Sequence, residues 1–185
     1  ALSALEISKN DEVIISSLTM SAPLQAVLMC GAKPIFSDIE KNNLNLSFKS
    51  LEDKITYKTK AIIIVNIFGL LIDYKKLKKI LSKNKKKIYI IEDNAECIFG
   101  KKMNKTLMVK KKFVDFCLYS FQSSKIIKSG EGGMLCTNNK NLIKRAKYFS
   151  NLGYKISNIS YKNNRKLLKN TNFNRHYSLG INYRM

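Results

Sequence analysis

TKAIIIVNIFGLLIDYKKLKKILSKNKKKIYIIEDNAE, residues 59–96, contains the unit on which the fold turns. AIIIVN at 61–66 is a β-branched apolar run of strand length, and IYII at 88–91 is another. Between them Tyr74, Leu77, Ile80 and Leu81 recur at helical spacing with lysines on the other positions, so one stripe faces a sheet and the rest faces water. Strand, amphipathic helix and strand in that order make a βαβ unit, and strands that are apolar throughout belong in a sheet covered on both faces.

The same alternation extends outward. VII at 13–15 and PIFSD at 34–38 precede the unit, while DFCLYSF at 115–121 and GMLCT at 133–137 follow it. Helices are expected from Ser21 to Cys30, with Pro23 in the first turn and Gly31 as the C′ residue, and from Ser47 to Ile55, with Phe48, Leu51 and Ile55 on one stripe. A further helix near 139–152 should bury Leu142, Ile143, Ala146 and Phe149 and end at Gly153. From Tyr154 to Tyr177 the chain is polar and aperiodic, the character of a long loop. The fold class is therefore α/β, with a mostly parallel sheet.

With 185 residues and 45% hydrophobic composition, the chain is long enough to bury a core of its own. No apolar run approaches the roughly 20 residues that cross a bilayer, and nothing at the start resembles a secretory signal, so a cytoplasmic location is expected. ALSALEI reads as the last turns of a helix already under way, and Met185 stops directly after GINYRM, so the sequence is expected to be a piece cut on both sides. Cys30, Cys97, Cys117 and Cys136 form no CxxC pair, which points to reduced thiols and no metal site. The net charge of +21, from 34 Lys+Arg against 13 Asp+Glu, raises a nucleic-acid partner as an alternative. Most of that excess is lysine scattered among asparagines on solvated stretches, without an arginine-rich helix or finger motif, so no nucleic acid is expected.

In sheets of this kind ligands sit beyond the carboxyl ends of the strands. IYII is followed by Glu92-Asp93-Asn94-Ala95-Glu96, and DFCLYSF by Gln122-Ser123-Ser124-Lys125. Ser129-Gly130-Glu131-Gly132-Gly133 comes next, a loop where backbone can approach a ligand closely. Singly, Asp93 reads as well as a helix cap, Lys125 as one exposed lysine among many, and GEGG as a turn. A carboxylate, a lysine and a phosphate-sized Gly/Ser loop at one edge are together what pyridoxal chemistry requires.

The order DEVIISSLT, GAKPIFSDIE, TKAIIIVNIFG, IIEDNAE, SFQSSK…SGEGGM and GINYRM resembles the DegT/DnrJ family of nucleotide-sugar aminotransferases, whose fold is type I of the pyridoxal-phosphate enzymes. The resemblance implies a three-layer α/β/α arrangement around a mostly parallel mixed sheet. Residues 1–153 would be a large cofactor-binding domain, and 154–185 a loop and interface segment leading to a small C-terminal domain. It implies pyridoxal 5'-phosphate as cofactor and Lys125 as the catalytic lysine that links to it and later moves a proton. It implies that Asp93 pairs with the pyridinium nitrogen and that Ser120 hydrogen-bonds the cofactor phosphate. Asn182 would reach the phosphate of a neighbouring subunit, so that a homodimer shares its active sites. Thr19 and Met20 stand where relatives carry a Thr followed by a ring-stacking aromatic, and Met20 departs from that pattern. The region between Gly100 and Asp115 also departs, lacking the usual glycines. Glu96 resembles the subgroup that makes perosamine, although a purely structural acid on the loop remains an equal alternative.

The expected activity is transfer of an amino group from an amino acid, glutamate in the family, to a keto group of a sugar nucleotide in aminodeoxysugar or polysaccharide biosynthesis. A cofactor-binding regulatory relative without turnover is the rival reading.

Overall fold

The computed structural model describes residues 1–97 and 113–151. The chain divides into two compact units, Ala1–Asn139 and Lys140–Met185.

The first unit holds β1 (Glu12–Ser16), α1 (Ser21–Met29), β2 (Lys33–Ser37), α2 (Phe48–Lys54), β3 (Thr59–Val65), α3 (Tyr74–Leu81), β4 (Tyr89–Asp93), β5 (Phe116–Ser120) and β6 (Gly133–Cys136). The strands form one sheet in the order β2-β1-β3-β4-β5-β6. All pairings are parallel except β5 with β6. The mostly parallel mixed sheet expected from the alternating pattern is the one found.

Register explains why the apolar runs need no polar alternation. Ile35, Ile14, Ile62 and Ile90 lie in one row across β2, β1, β3 and β4, on the face covered by Phe48 and Leu51 of α2 and Leu77 and Ile80 of α3. One residue further along, Ile15, Ile63, Ile91 and Phe116 form a second row, which points to the opposite face. Those four are buried as well. Both faces are therefore covered, and each such isoleucine contributes roughly 1.5–3 kcal/mol of transfer free energy.

The helices begin and end where local chemistry directs. The Asp73 carboxylate accepts from Lys75 N at 3.0 Å and Lys76 N at 3.3 Å, which caps α3 and satisfies two of its free amides. α1 ends at Cys30, and Gly31 takes φ +69, the left-handed conformation that a C′ residue needs. In α2, Phe48 and Leu51 are buried and Ile55 packs at the edge of the core.

ALSALEI, expected to close a helix, contains one 3-10 turn at Ser3–Leu5 that ends on a left-handed Glu6. The second unit contributes α4 (Lys140–Ser150), with Leu142 and Ala146 buried and Ile143 and Phe149 half-buried. Gly153, the domain boundary expected after it, the polar stretch 154–177 and most of the glycine-poor segment 100–115 lie outside the described residues. No described helix is long and apolar enough to cross a membrane, and no group of three or more His, Cys, Asp or Glu among the described residues could hold a metal ion.

Candidate active site

Because β1, β3, β4 and β5 run parallel, their carboxyl ends share one edge of the sheet. The acidic cluster after IYII does not begin beyond the strand, as the apolar run implied. β4 continues through Glu92 to Asp93, with Asp93 in register between Val65 and Leu118. Consecutive strand residues point to opposite faces, so Glu92 and Asp93 serve different sides of the sheet.

Asp93 sits at the strand tip, half-buried. Its Oδ1 accepts from Ala95 N at 2.9 Å, which turns the chain sharply toward Glu96. Burial raises the Asp93 carboxyl above the ordinary carboxylate range; the Ala95 amide and the Lys125 charge draw it back down, while Glu96 pushes it up.

Lys125 comes from the adjacent strand. After β5 the chain makes a turn in which Lys125 N donates to Gln122 O at 2.9 Å. The side chain of Lys125 reaches back so that Nζ lies 3.7 Å from Glu96 Oε1, with the two side chains 18% and 31% exposed. An amine and two carboxylates thus converge from the ends of β4 and β5, the lysine being shielded from most of the solvent.

The loop that follows closes against β5. Ser129 N donates to Phe121 O at 2.8 Å and Phe121 N to Gly132 O at 2.9 Å. Gly130 and Gly132 take φ of +84 and +142, conformations that other residues adopt only under strain. At Gly133 a Cβ would lie 3.0 Å from Tyr119 O, so a side chain there would crowd the pairing of β6 with β5.

The remaining expected residues are distributed along the same edge. Ser120 is half-buried at the end of β5, its hydroxyl 3.4 Å from Gln122 N, which donates to it. Thr19 and Met20 follow β1, two strands away from β4, and Met20 is 64% exposed at the N-cap of α1. No described hydrogen bond or ion pair joins Ser120, Thr19 or Met20 to the group of Asp93, Glu96 and Lys125. Asn182 lies outside the described residues.

A buried polar network beneath the edge was not foreseen. Asn66, directly after β3, donates from Nδ2 to Glu92 Oε1 at 2.8 Å and to Asn94 Oδ1 at 2.7 Å. The Tyr74 hydroxyl donates to Glu92 Oε1, and the Cys117 thiol to Glu92 Oε2 at 3.3 Å. Burial and the neighbouring Glu92 raise the Tyr74 hydroxyl far above the ordinary phenol value; burial and the Cys117 thiol push Tyr119 up to about 12. The signal in the sequence is the polar residue at the end of each apolar run, Asn66 after AIIIV and Glu92 after IYII.

The profile of the DegT/DnrJ/EryC1/StrS aminotransferase family matches residues 1–185. Among similar curated proteins, GDP-perosamine synthase of Escherichia coli O157:H7 is 36% identical over 185 residues, covering 100% of this chain and 46% of that protein. The chain thus spans about half the length of the curated relatives it matches. Among solved structures, an aminotransferase from Psychrobacter cryohalolentis superposes with a TM-score of 0.81 at 29% identity, over 100% of this chain and 45% of that one. NtdA of Bacillus subtilis, solved with bound cofactor PMP, gives a TM-score of 0.77 at 27% identity, over 97% and 37%.

Proposed function

Because the chain belongs to the DegT/DnrJ/EryC1/StrS aminotransferase family, we propose that it carries the cofactor site of a pyridoxal-phosphate-dependent sugar aminotransferase. The donor would be an amino acid, glutamate in the first instance, and the acceptor a keto group of a nucleotide-linked sugar of the kind handled in aminodeoxysugar and polysaccharide biosynthesis.

The observation that carries this reading is the approach of Lys125 to Glu96 and Asp93 at adjacent strand ends. The donor set fits the cofactor: a primary amine for covalent attachment, an anion for the ring nitrogen, and a hydroxyl and glycine-rich backbone for the phosphate. Bound there, pyridoxal phosphate supplies an electron sink for the carbanion formed when a proton leaves the amino-bearing carbon. Lys125 would hold the cofactor through its amine and, once freed by the amino donor, would serve as the general base and acid that moves that proton. Asp93 would pair with the ring nitrogen, and a protonated ring there would favour the anionic carboxylate against the burial that raises it. Ser120 would donate to the phosphate. Glu96 orients the Lys125 ammonium when the lysine is free.

Lys125→Ala tests the assignment in the full-length protein. The visible absorption of lysine-linked cofactor should vanish while the far-ultraviolet spectrum is kept; an unchanged band after the substitution would refute the role of Lys125. Adding glutamate to the wild-type protein should convert the cofactor to its amine form, whereas binding without that conversion would point to a sensor rather than a transferase.

A further inference from the structure

We infer that Glu92 is a positioning residue, a buried carboxylate that fixes the tip of β4 from behind and so sets where Asp93 stands. The inference rests on the cofactor site proposed above and extends it to a residue on the opposite face of the sheet.

Glu92 is 2% exposed, a placement that an acidic side chain tolerates only when its oxygens are well supplied with donors. Among the described residues, donors include Asn66 from the end of β3, Tyr74 from the first residue of α3 and Cys117 from β5. Asn66 and Asn94 are themselves 1% and 2% exposed, and the amide of Asn66 ties the residue that follows Asp93 to the same hub. Asn94 N also donates to Leu118 O at 2.9 Å and Asn66 N to Asp93 O at 3.1 Å. Asp93 is therefore flanked on both sides in sequence by side chains locked into one network, and its own carbonyl is bonded to the residue at the network's centre.

Hydrophobic packing alone resists sliding weakly at a strand end, where pairing stops. A network of directional bonds among buried groups admits one arrangement, because any shift leaves a polar atom unpaired in a low-dielectric interior. The neighbours that shift the Asp93 carboxyl include the Ala95 amide, Lys125 and Glu96; the influence inferred for Glu92 runs instead through the backbone bonds of Asn66 and Asn94. Loosening Glu92 should then misplace the Asp93 carboxylate relative to the ring nitrogen, and misplacement of a charged contact on this scale weakens it severely.

The experiment uses full-length protein and pyridoxal phosphate, with four variants: Glu92→Gln, Glu92→Ala, Tyr74→Phe and, as a control for general destabilisation, Leu77→Ala, which lies in the same core but outside the network. Dissociation constants for the cofactor are read from the visible band, alongside melting temperatures. Glu92→Ala should bind the cofactor on the order of tenfold more weakly. Glu92→Gln, which keeps one acceptor, and Tyr74→Phe, which removes one donor without changing volume, should fall between it and the wild type. Leu77→Ala should lower the melting temperature at least as much while leaving affinity nearly unchanged. Glu92 and Tyr74 variants that melt lower but bind as wild type would overturn the inference, as would Leu77→Ala weakening binding to the same degree. Should Glu92→Ala fail to fold, the other three carry the same comparison. A wild-type protein that forms no visible band would overturn the cofactor site and this inference with it, which separates the two failures.

Discussion

Lys125 Nζ lies 3.7 Å from Glu96 Oε1, so the chain beyond β5 is joined by charge to the chain beyond β4 across the candidate site. Both side chains keep some contact with water, which limits the strength of such a pair to roughly 1 kcal/mol or less. Glu96→Gln is therefore expected to change unfolding free energy by less than about 1 kcal/mol. It should also lower the Asp93 pKa, since Glu96 is one of the groups that raise it. Denaturant midpoints and a carboxyl titration check the two parts; a loss well beyond that range would make the pair a structural anchor.

Asp93 gives the protein a pH dependence of definite sign when no cofactor is bound. Its folded carboxyl titrates above the ordinary value because of burial, so the fold favours the protonated form. That contribution to stability is complete below the unfolded value, near about 4, and is lost as pH rises through the folded pKa. Asp93→Asn removes the titration. The variant should be more stable than wild type at neutral pH, with the difference shrinking as pH falls toward about 4. Urea unfolding across that range measures it, and a difference that grows on acidification would mean that Lys125 and the Ala95 amide outweigh burial.

The helices were legible from their period and the strands from short, β-branched apolar runs without one. AIIIVN has the length and β-branching of a buried strand, and the stripe of Tyr74, Leu77 and Ile80 the spacing of an amphipathic helix, so those elements fell within a few residues of the expected bounds. The candidate site was half legible. Lys125 and the acidic cluster follow apolar runs directly, and parallel topology then places them at one edge. What could not be read was the depth of Glu92. A carboxylate at the end of an apolar run reads as the start of a loop, and it takes donors such as Asn66, Tyr74 and Cys117, brought from distant positions, to make it a buried strand residue. Such a network is a property of three-dimensional convergence and leaves no spacing in the sequence.

Two glycines separate crowding from backbone strain. At Gly133 an added Cβ would press within 3.0 Å of the Tyr119 carbonyl, a backbone atom held by pairing between β5 and β6. Gly133→Ala should cost about 1–3 kcal/mol through overpacking and loosen the loop that precedes β6. At Gly69, φ is +76 but nothing lies within 4 Å of the added methyl. Gly69→Ala should cost about 1–2 kcal/mol from the left-handed conformation alone, without disturbing its neighbours. Hydrogen exchange distinguishes the two, with faster exchange at Phe121 N and Ser129 N expected only for the Gly133 variant.

Phe68 adopts φ 53 and ψ 24, a left-handed conformation that costs an ordinary residue about 1–2 kcal/mol. Burial does not repay this, because the residue is 65% exposed. The turn is instead enforced by its surroundings: Gly69 N donates to Asn66 O at 3.3 Å, Leu70 N to Ile67 O at 3.0 Å, and Asn45 Nδ2 to Leu70 O at 3.2 Å. Those bonds keep the chain leaving β3 in a shape that suits Asn66 and its partners, and Phe68 bears the strain. Phe68→Asn, which places a residue tolerant of this region without the added chain entropy of glycine, should stabilise the protein by about 1 kcal/mol. Denaturant unfolding checks it. A loss of stability would show that the exposed ring makes contacts worth more than the strain it carries.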